Sequence, residues 1–397
     1  MDMDRLRALD ASDPLAGLRD AFDLPEGVIY MAGNSLGPPP RAAAARLAEV
    51  VQAEWGGDLV AAWTRRGWIE APARVGGKIA RLVGADASEV IVADSTSVDL
   101  YKLIAAALKA RPERGVVLTV DDDFPTDLYV AEGAALAAGE GRRLRRALRG
   151  DLLAALTQDV ALVVLSHAHY RSAEVYDMAA ICAAARAAGV WTLWDLSHST
   201  GVVEVELNGA GADLAVGCGY KYLNGGPGAP AYLYISSRLQ TKLTSPIAGW
   251  MGHAAPFDFV GDYRPGPGVS RFLAGTPPIL SLAALDVGVD LMLRTDPAAM
   301  ADKARRLGDV FLELMAEHCP GVEAACPGPG QRRGGHVAFR HPGAKAFGDA
   351  LAARGLVGDV RPPDLLRFGL SPLYVRFEDV GLAVQRIKQA LGAPRFA

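Results

Sequence analysis

Gly217-Cys218-Gly219-Tyr220-Lys221-Tyr222-Leu223-Asn224-Gly225-Gly226-Pro227-Gly228 is the stretch on which the rest of this chain turns. One lysine sits between two tyrosines, flanked by glycines, directly after the apolar run Ala212 to Val216. Glycine lets the backbone turn sharply and approach a bound group closely. Desolvating a lysine at a strand end disfavours its charged form, and the neutral amine is what attacks an aldehyde to form a Schiff base. Upstream, Val190-Trp191-Thr192-Leu193 reads as a buried strand running into Trp194-Asp195-Leu196-Ser197-His198-Ser199. Alone, a lysine in a Gly-rich loop is a solvated turn residue, and an aspartate after a strand is a cap or turn former. In this order, each at its own strand end, they point to pyridoxal 5'-phosphate (PLP). Asp195 keeps the pyridine nitrogen protonated and Lys221 holds the aldehyde.

Outward from that stretch the chain alternates strands and helices. Strands are predicted over 90–93, 116–120, 160–166, 190–195, 214–217 and 231–235, with helices over 98–110 and 178–188. Such alternation gives an α/β fold with a mostly parallel central sheet covered on both faces. Ligands in these sheets bind outside the carboxyl ends of the strands, where Asp94 to Ser97, Ser166, Asp195 and Lys221 all fall. Ser95, Thr96 and Ser97 at a helix start offer free N–H groups, the helix dipole and hydroxyl donors, an anion site that ordinary N-capping does not preclude. Phe124-Pro125-Thr126-Asp127 follows the 116–120 strand. Phe124 is placed to stack on a pyridine ring and Asp127 to accept from its hydroxyl. By itself this tetrapeptide is a turn and a helix start.

The chain has 397 residues, half of them hydrophobic, enough for two domains. The expected division is an N-terminal segment, 1–50, packing with a small domain; a large PLP-binding domain, 51–290; and a small α+β C-terminal domain, 291–397. Within the second lies an irregular tract with Trp55, Trp63 and Trp68, read either as packing or as part of a substrate mouth. The basic run Arg142 to Arg149 is read as a solvated helix face. A net charge of −4 implies no nucleic-acid partner. Cys182, Cys218, Cys319 and Cys326 show no zinc or CxxC spacing and read as reduced thiols of a cytoplasmic protein. The charged N-terminus lacks the apolar core of a signal peptide. No apolar run approaches the ~18 residues of a membrane span.

Several motifs together resemble the kynureninase family: GNSLG (Gly33 to Gly37), FPTD (Phe124 to Asp127), WDLSHS (Trp194 to Ser199), GYKYLNGGPG (Gly219 to Gly228), GWMGH (Gly249 to His253) and TPPIL (Thr276 to Leu280). The resemblance runs over about residues 28 to 380. It implies PLP-dependent transferase fold type I, the aspartate-aminotransferase-like fold, working as a homodimer with sites at the subunit interface. It implies that Lys221 carries PLP, Asp195 pairs with the pyridinium nitrogen and His198 lies near the same edge. Thr96, Ser97 and Tyr220 would contact the phosphate, with Trp250 and Thr276 reaching it from the partner chain. Phe124 stacks on the ring, Asp127 meets its hydroxyl side and Ser166 lies on the adjacent strand end. Arg367 matches the arginine that grips the substrate α-carboxylate, for which guanidinium offers a bidentate fork. Asn34 and Ser35 of GNSLG join the substrate side. The implied reaction is hydrolytic Cβ–Cγ cleavage of L-kynurenine to anthranilate and L-alanine in tryptophan catabolism, with Lys221, Tyr220 and Asp195 as catalytic residues. Thr276 stands where some family members carry asparagine, which leaves L-kynurenine and its 3-hydroxy form as alternative substrates.

A kynureninase-like paralogue, a cysteine desulfurase or a class-V aminotransferase of the same fold is the competing expectation. A desulfurase needs a mobile thiol near the site, and no Arg-x-Gly-x-His-Cys type loop surrounds Cys319 or Cys326. Desulfurases typically carry histidine before the lysine, where this chain has Tyr220.

Overall fold

A computed structural model describes residues 1–393. The first extended piece is β1 (Ile29–Tyr30), and the central sheet follows. Its strands are β2 (Val90–Ala93), β3 (Val116–Val120), β4 (Arg143–Ala147), β5 (Val160–Ser166), β6 (Trp191–Asp195), β7 (Leu214–Gly217) and β8 (Ala231–Ile235), in the spatial order β2-β8-β7-β6-β5-β3-β4. The pairs from β4 across to β7 are parallel, and β8 alone runs against its two neighbours. Parallel neighbours need long crossovers. Helices Pro125–Ala137 and Met178–Ala187 supply two of them, and helix Thr96–Ala110 links β2 to β3. Every residue of β2, β3, β5, β7 and β8 is buried, which is why these strands read as unbroken apolar runs rather than alternating ones. Helix Thr96–Ala110 starts where Ser95, in an extended conformation, accepts from the Val98 N–H with its side chain.

The basic run Arg142 to Arg149 is not a helix face. Most of it is β4, the edge strand beside β3. Its arginines lie on the rim of the sheet, where Arg143 and Arg145 both pair with Asp159. Charge on an edge strand blocks further strand addition, and that composition hides a strand from a reading based on hydrophobic pattern.

Helix Ile279–Met292 leads towards the C-terminal part. There β9 (His336–Arg340), β11 (Asp359–Arg361) and β12 (Leu365–Gly369) form an antiparallel sheet in the order β11-β12-β9. The short strand β10 (Leu356–Val357) precedes β11 and pairs in parallel with β1. Helices Pro297–His318, Ala344–Ala352 and Phe377–Leu391 cover this unit. The N-terminal segment binds to it through buried polar contacts as well: Lys303 pairs with Asp13 at 2.6 Å, and Asp10 accepts from the backbone of Phe377 at 2.7 Å. The same segment also reaches the lysine loop, with Gly37 N donating to Tyr220 O at 2.8 Å. Tyr222 Oη closes the junction by donating to Gly335 O at 2.7 Å. The loop carrying Lys221 is thus clamped between both parts of the chain and the N-terminal segment. No helix among the described residues is long and apolar enough to cross a membrane.

Candidate active site

The site forms where the parallel strands end. Ser166 at the end of β5 lies in register with Asp195 at the end of β6. Beyond β7 the chain enters the loop of Lys221 past Gly219, whose added Cβ would sit 2.4 Å from Pro230 O; only glycine permits that approach. The loop is held by Gly225 N donating to Gly219 O at 2.9 Å and Asn224 N donating to Lys221 O at 3.0 Å. Thr96, Ser97, Phe124, Asp127, Ser166, Asp195, His198, Tyr220 and Lys221 line one cavity of about 230 Å³. Thr126, Tyr170 and Ser197 complete its wall.

The electrostatics of this cavity are set by burial. Lys221 Nζ lies 3.0 Å from His198 Nε2. Burial, reinforced by the charges of Lys221 and Arg367, holds His198 well below the usual histidine range. The imidazole is therefore neutral. Nε2 faces Lys221, and Nδ1 is buried without a partner. His336 packs edge-on against His198 with ring centres 5.8 Å apart and is pushed down to about 3 by burial and Arg367. Tyr220 is raised by burial, then by Cys218 and Asp195, so its phenol stays protonated and able to donate.

Asp195 is buried and accepts from Ser197 N at 2.8 Å. Asp127 is buried too, and its Oδ2 finds no donor. Burial first, then the charge of Asp195, pushes Asp127 well above the carboxylate range, so the two carboxyls share a site that cannot hold both as anions. This sets Asp127 against Asp195 in the wall of the cavity. Asp123, not singled out in the sequence, ties two strand ends together: it accepts from Phe124 N at 2.7 Å and Ser166 N at 3.0 Å. Phe124 meets Tyr170 edge-on at 5.1 Å. Its neighbours in a run of three aspartates disguise Asp123 as a solvated turn, and no motif marks Tyr170.

Other expected residues lie outside this cavity. Arg367 is fully buried and tied to Asp359 by its Nε at 2.7 Å and by its Nη2, while its Nη1 donates to Tyr170 O. Ser35 Oγ donates to the same Asp359. Asn34 is fully buried with neither side-chain polar atom partnered. Trp250 packs edge-on against Trp63 at 6.2 Å. Thr276 lines a separate apolar cavity of about 440 Å³ together with Trp55, Trp63 and Trp68. Sequence spacing could not show that the tryptophan tract and Thr276 share one wall.

Comparisons with known proteins agree with one another. The kynureninase C-terminal domain family matches residues 300–387. The kynureninase of Deinococcus radiodurans is 47% identical over 399 residues, covering 98% of this chain and 97% of its own. Kynureninases of Burkholderia mallei and Burkholderia pseudomallei are 44% identical over 98% of this chain and 97% of theirs. Among solved structures, the apo cysteine desulfurase of Thermococcus onnurineus superimposes with a TM-score of 0.79 at 18% identity, covering 94% of this chain and 97% of its own. A cysteine desulfurase of Escherichia coli gives 0.79 at 19%, covering 95% and 98%. At such identities those two show the fold alone, that of fold type I. Identity near half over almost the full length of both chains is a different matter, and on it the chain belongs to the kynureninase family.

Proposed function

We propose that this chain hydrolyses L-kynurenine to anthranilate and L-alanine, with PLP held on Lys221, as one half of a homodimer. The observation that carries the reading is the cavity itself, in which a lysine amine, two buried carboxyls and a helix N-terminus converge. The donor set fits the cofactor. Asp127 and His198 each present a buried polar atom with no protein partner, as a site built around a missing polar group does. Thr96 and Ser97, in the first turn of helix Thr96–Ala110, hold the phosphate with their hydroxyls and free N–H groups. Phe124 would cover the ring face, and Asp195 would hold the proton at the ring nitrogen, with Asp127 beside it. When bound, PLP supplies the electron sink that lets the substrate α-proton leave and the Cβ–Cγ bond break.

The side chains then divide the proton work. With the cofactor bound, Lys221 Nζ would be the base that takes the substrate α-proton. Neutral His198, 3.0 Å away, positions that amine. Tyr220, kept as a phenol, donates to the developing oxyanion or carbanion and can contact the phosphate as well. Water supplies the hydroxyl that ends on anthranilate's carboxyl group, and the Cβ of alanine takes up a proton.

The dimer reading rests on surface chemistry. Trp55, Leu59, Val60 and Leu280 are exposed apolar residues, and Trp55 and Leu280 line the open cavity that also holds Thr276. Apolar exposure of that kind suits an interface between two copies, and the family resemblance would give Trp250 and Thr276 to the partner's site. Mixing Lys221→Ala with Trp250→Ala, each inactive alone, should then restore activity through hybrid dimers. Cytoplasmic location is proposed from the four cysteines, all free in the structure. The direct test is the purified protein with PLP and L-kynurenine, read as anthranilate fluorescence with an equal amount of alanine. Sulfide release from cysteine without kynurenine cleavage would instead favour the desulfurase reading.

A further inference from the structure

The helix whose first turn lines the Lys221 cavity carries an acid on either side of Thr96 and Ser97. Asp94 follows the last residue of β2 and stands two residues before Thr96, and Asp99 stands three residues after it. A carboxylate at a helix N-terminus occupies the positive potential that a phosphate needs, so two of them would oppose a bound dianion. The structure deals with each acid differently. Asp99 is fully buried, and neither of its carboxyl oxygens has a partner among the described residues. Burial pushes it well above the carboxylate range against the opposing charge of Lys102, which leaves it a neutral acid. Asp94 is instead paired. Its side chain is 33% exposed and forms an ion pair with Lys102, whose own side chain is 0% exposed. Lys102 lies two turns along the same helix, and its Nζ also donates to Phe272 O at 2.8 Å. A fully buried lysine is costly to keep unless it is paired, and no step proposed above uses it. Asp94 is also held in the left-handed region, with φ 36°, a conformation unfavourable for a residue with a Cβ. Its carbonyl accepts from Ala231 N at 3.0 Å, which fixes the chain just before Thr96. Two residues span at most about 7 Å, so an unpaired Asp94 would act at short range on a phosphate held by Thr96 and Ser97.

We propose that Lys102 is a positioning residue for the cofactor phosphate and acts on it through Asp94: it neutralises that carboxylate and pins the turn that leads into Thr96 and Ser97. The inference rests on the reading that these two residues hold the phosphate, and not on the identity of the amino-acid substrate. Phe272 O gives the lysine a second, uncharged anchor in the buried segment Gly268–Phe272. A charge role and a packing role have different consequences here. Removing the lysine alone leaves a carboxylate without its counter-charge beside the anion site, whereas removing both charges together does not.

The test compares PLP with pyridoxal, which lacks only the phosphate. The full-length protein is loaded with either compound, and its retention on dilution is read from the cofactor's absorbance. Lys102→Met should weaken PLP by about tenfold, a value between the water and protein-interior limits for one uncompensated charge at that range, and leave pyridoxal unchanged. Adding Asp94→Asn to Lys102→Met should restore most of the lost PLP affinity. Unchanged PLP affinity in Lys102→Met, an equal loss of PLP and pyridoxal, or no recovery in the double variant would each overturn the proposal. If Lys102→Met does not fold, Asp94→Asn alone decides, since it keeps the lysine and its bond to Phe272 O: PLP held at or above the wild-type level supports the proposal, and weakened PLP overturns it. Thr96→Val combined with Ser97→Ala checks the reading beneath. Wild-type preference for PLP over pyridoxal in that variant sinks the phosphate site and this inference with it. A lost preference there, with none lost in Lys102→Met, sinks this inference alone.

Discussion

Replacing Gly37 by alanine should cripple the site from a position that touches no substrate. Gly37 belongs to the turn that lays the N-terminal segment over the lysine loop. A Cβ there would lie 2.3 Å from Lys221 O, 2.5 Å from Asn224 Oδ1 and 2.9 Å from Asn224 Cα, against 3.4 Å for ordinary contact. The obstruction is largely backbone, so the loop or the turn must move by roughly 1 Å. Forcing an added methyl into a packed region costs about 1–3 kcal/mol, which should appear as a lowered Tm. The larger effect is on Lys221, because a misplacement of ~1 Å at a reacting group costs about 100-fold in rate. The expected outcome is kcat/KM down by that order, with the cofactor still bound and the same substrate preference. Gly17→Ala, where an added Cβ meets nothing within 4 Å, is the control. Wild-type Tm and kcat/KM in Gly37→Ala would refute the claim that this turn sets the position of the lysine.

Asp195→Asn should retain cofactor while turnover falls by about two to three orders of magnitude, the scale of removing one preorganised charge partner; near-normal turnover would contradict the electron-sink role. Thr276, which shares its cavity with Trp63 and Trp68, offers one short hydroxyl where asparagine would offer donor and acceptor at longer reach. The wild type should therefore favour L-kynurenine over its 3-hydroxy form by on the order of tenfold in kcat/KM, the penalty of burying an unpaired hydroxyl, and Thr276→Asn should narrow the gap; equal values in the wild type would count against it. His167 is buried with its ring against Trp194 and is pushed down to about 4 by burial. The unfolded chain takes up that proton near pH 6.5 and the folded chain does not. His167 therefore destabilises the fold progressively as pH drops from about 6.5 to 4, by about 3 kcal/mol in total. Denaturant unfolding of His167→Gln should show a shallower loss over that window, and an unchanged pH slope would refute it.

Much of the fold was legible because its strands are buried on both faces. Such strands appear as plain apolar runs, and β3, β5, β7 and β8 fall where those runs predict. Asp195 and Lys221 were legible for a related reason, since each follows such a run and so lands at a strand end. The edge strand β4 was not, because its exposure replaces apolar residues with arginines. The chain after Glu49 widens into a π-helical turn over Val50–Asp58, held by buried Glu54 between Arg46 and Trp68, a tertiary contact no local pattern reveals. The pairing of Arg367 with Asp359 was hidden for the same reason. It depends on β11 lying antiparallel to β12 with Asp359 opposite Arg367. The pressing of Asp127 against Asp195 likewise depends on how β3 and β6 are spaced in the sheet, which residue order does not express.

Everything functional here hangs on Lys221 as the residue that bears PLP. Borohydride reduction of the PLP-loaded protein, followed by peptide mapping, tests this without requiring turnover. The reduced cofactor should be found on Lys221, within the peptide that contains Tyr220 and Tyr222, and Lys221→Ala should take up no label. Label on Lys102, Lys303 or any other lysine, or full labelling of Lys221→Ala, would contradict it.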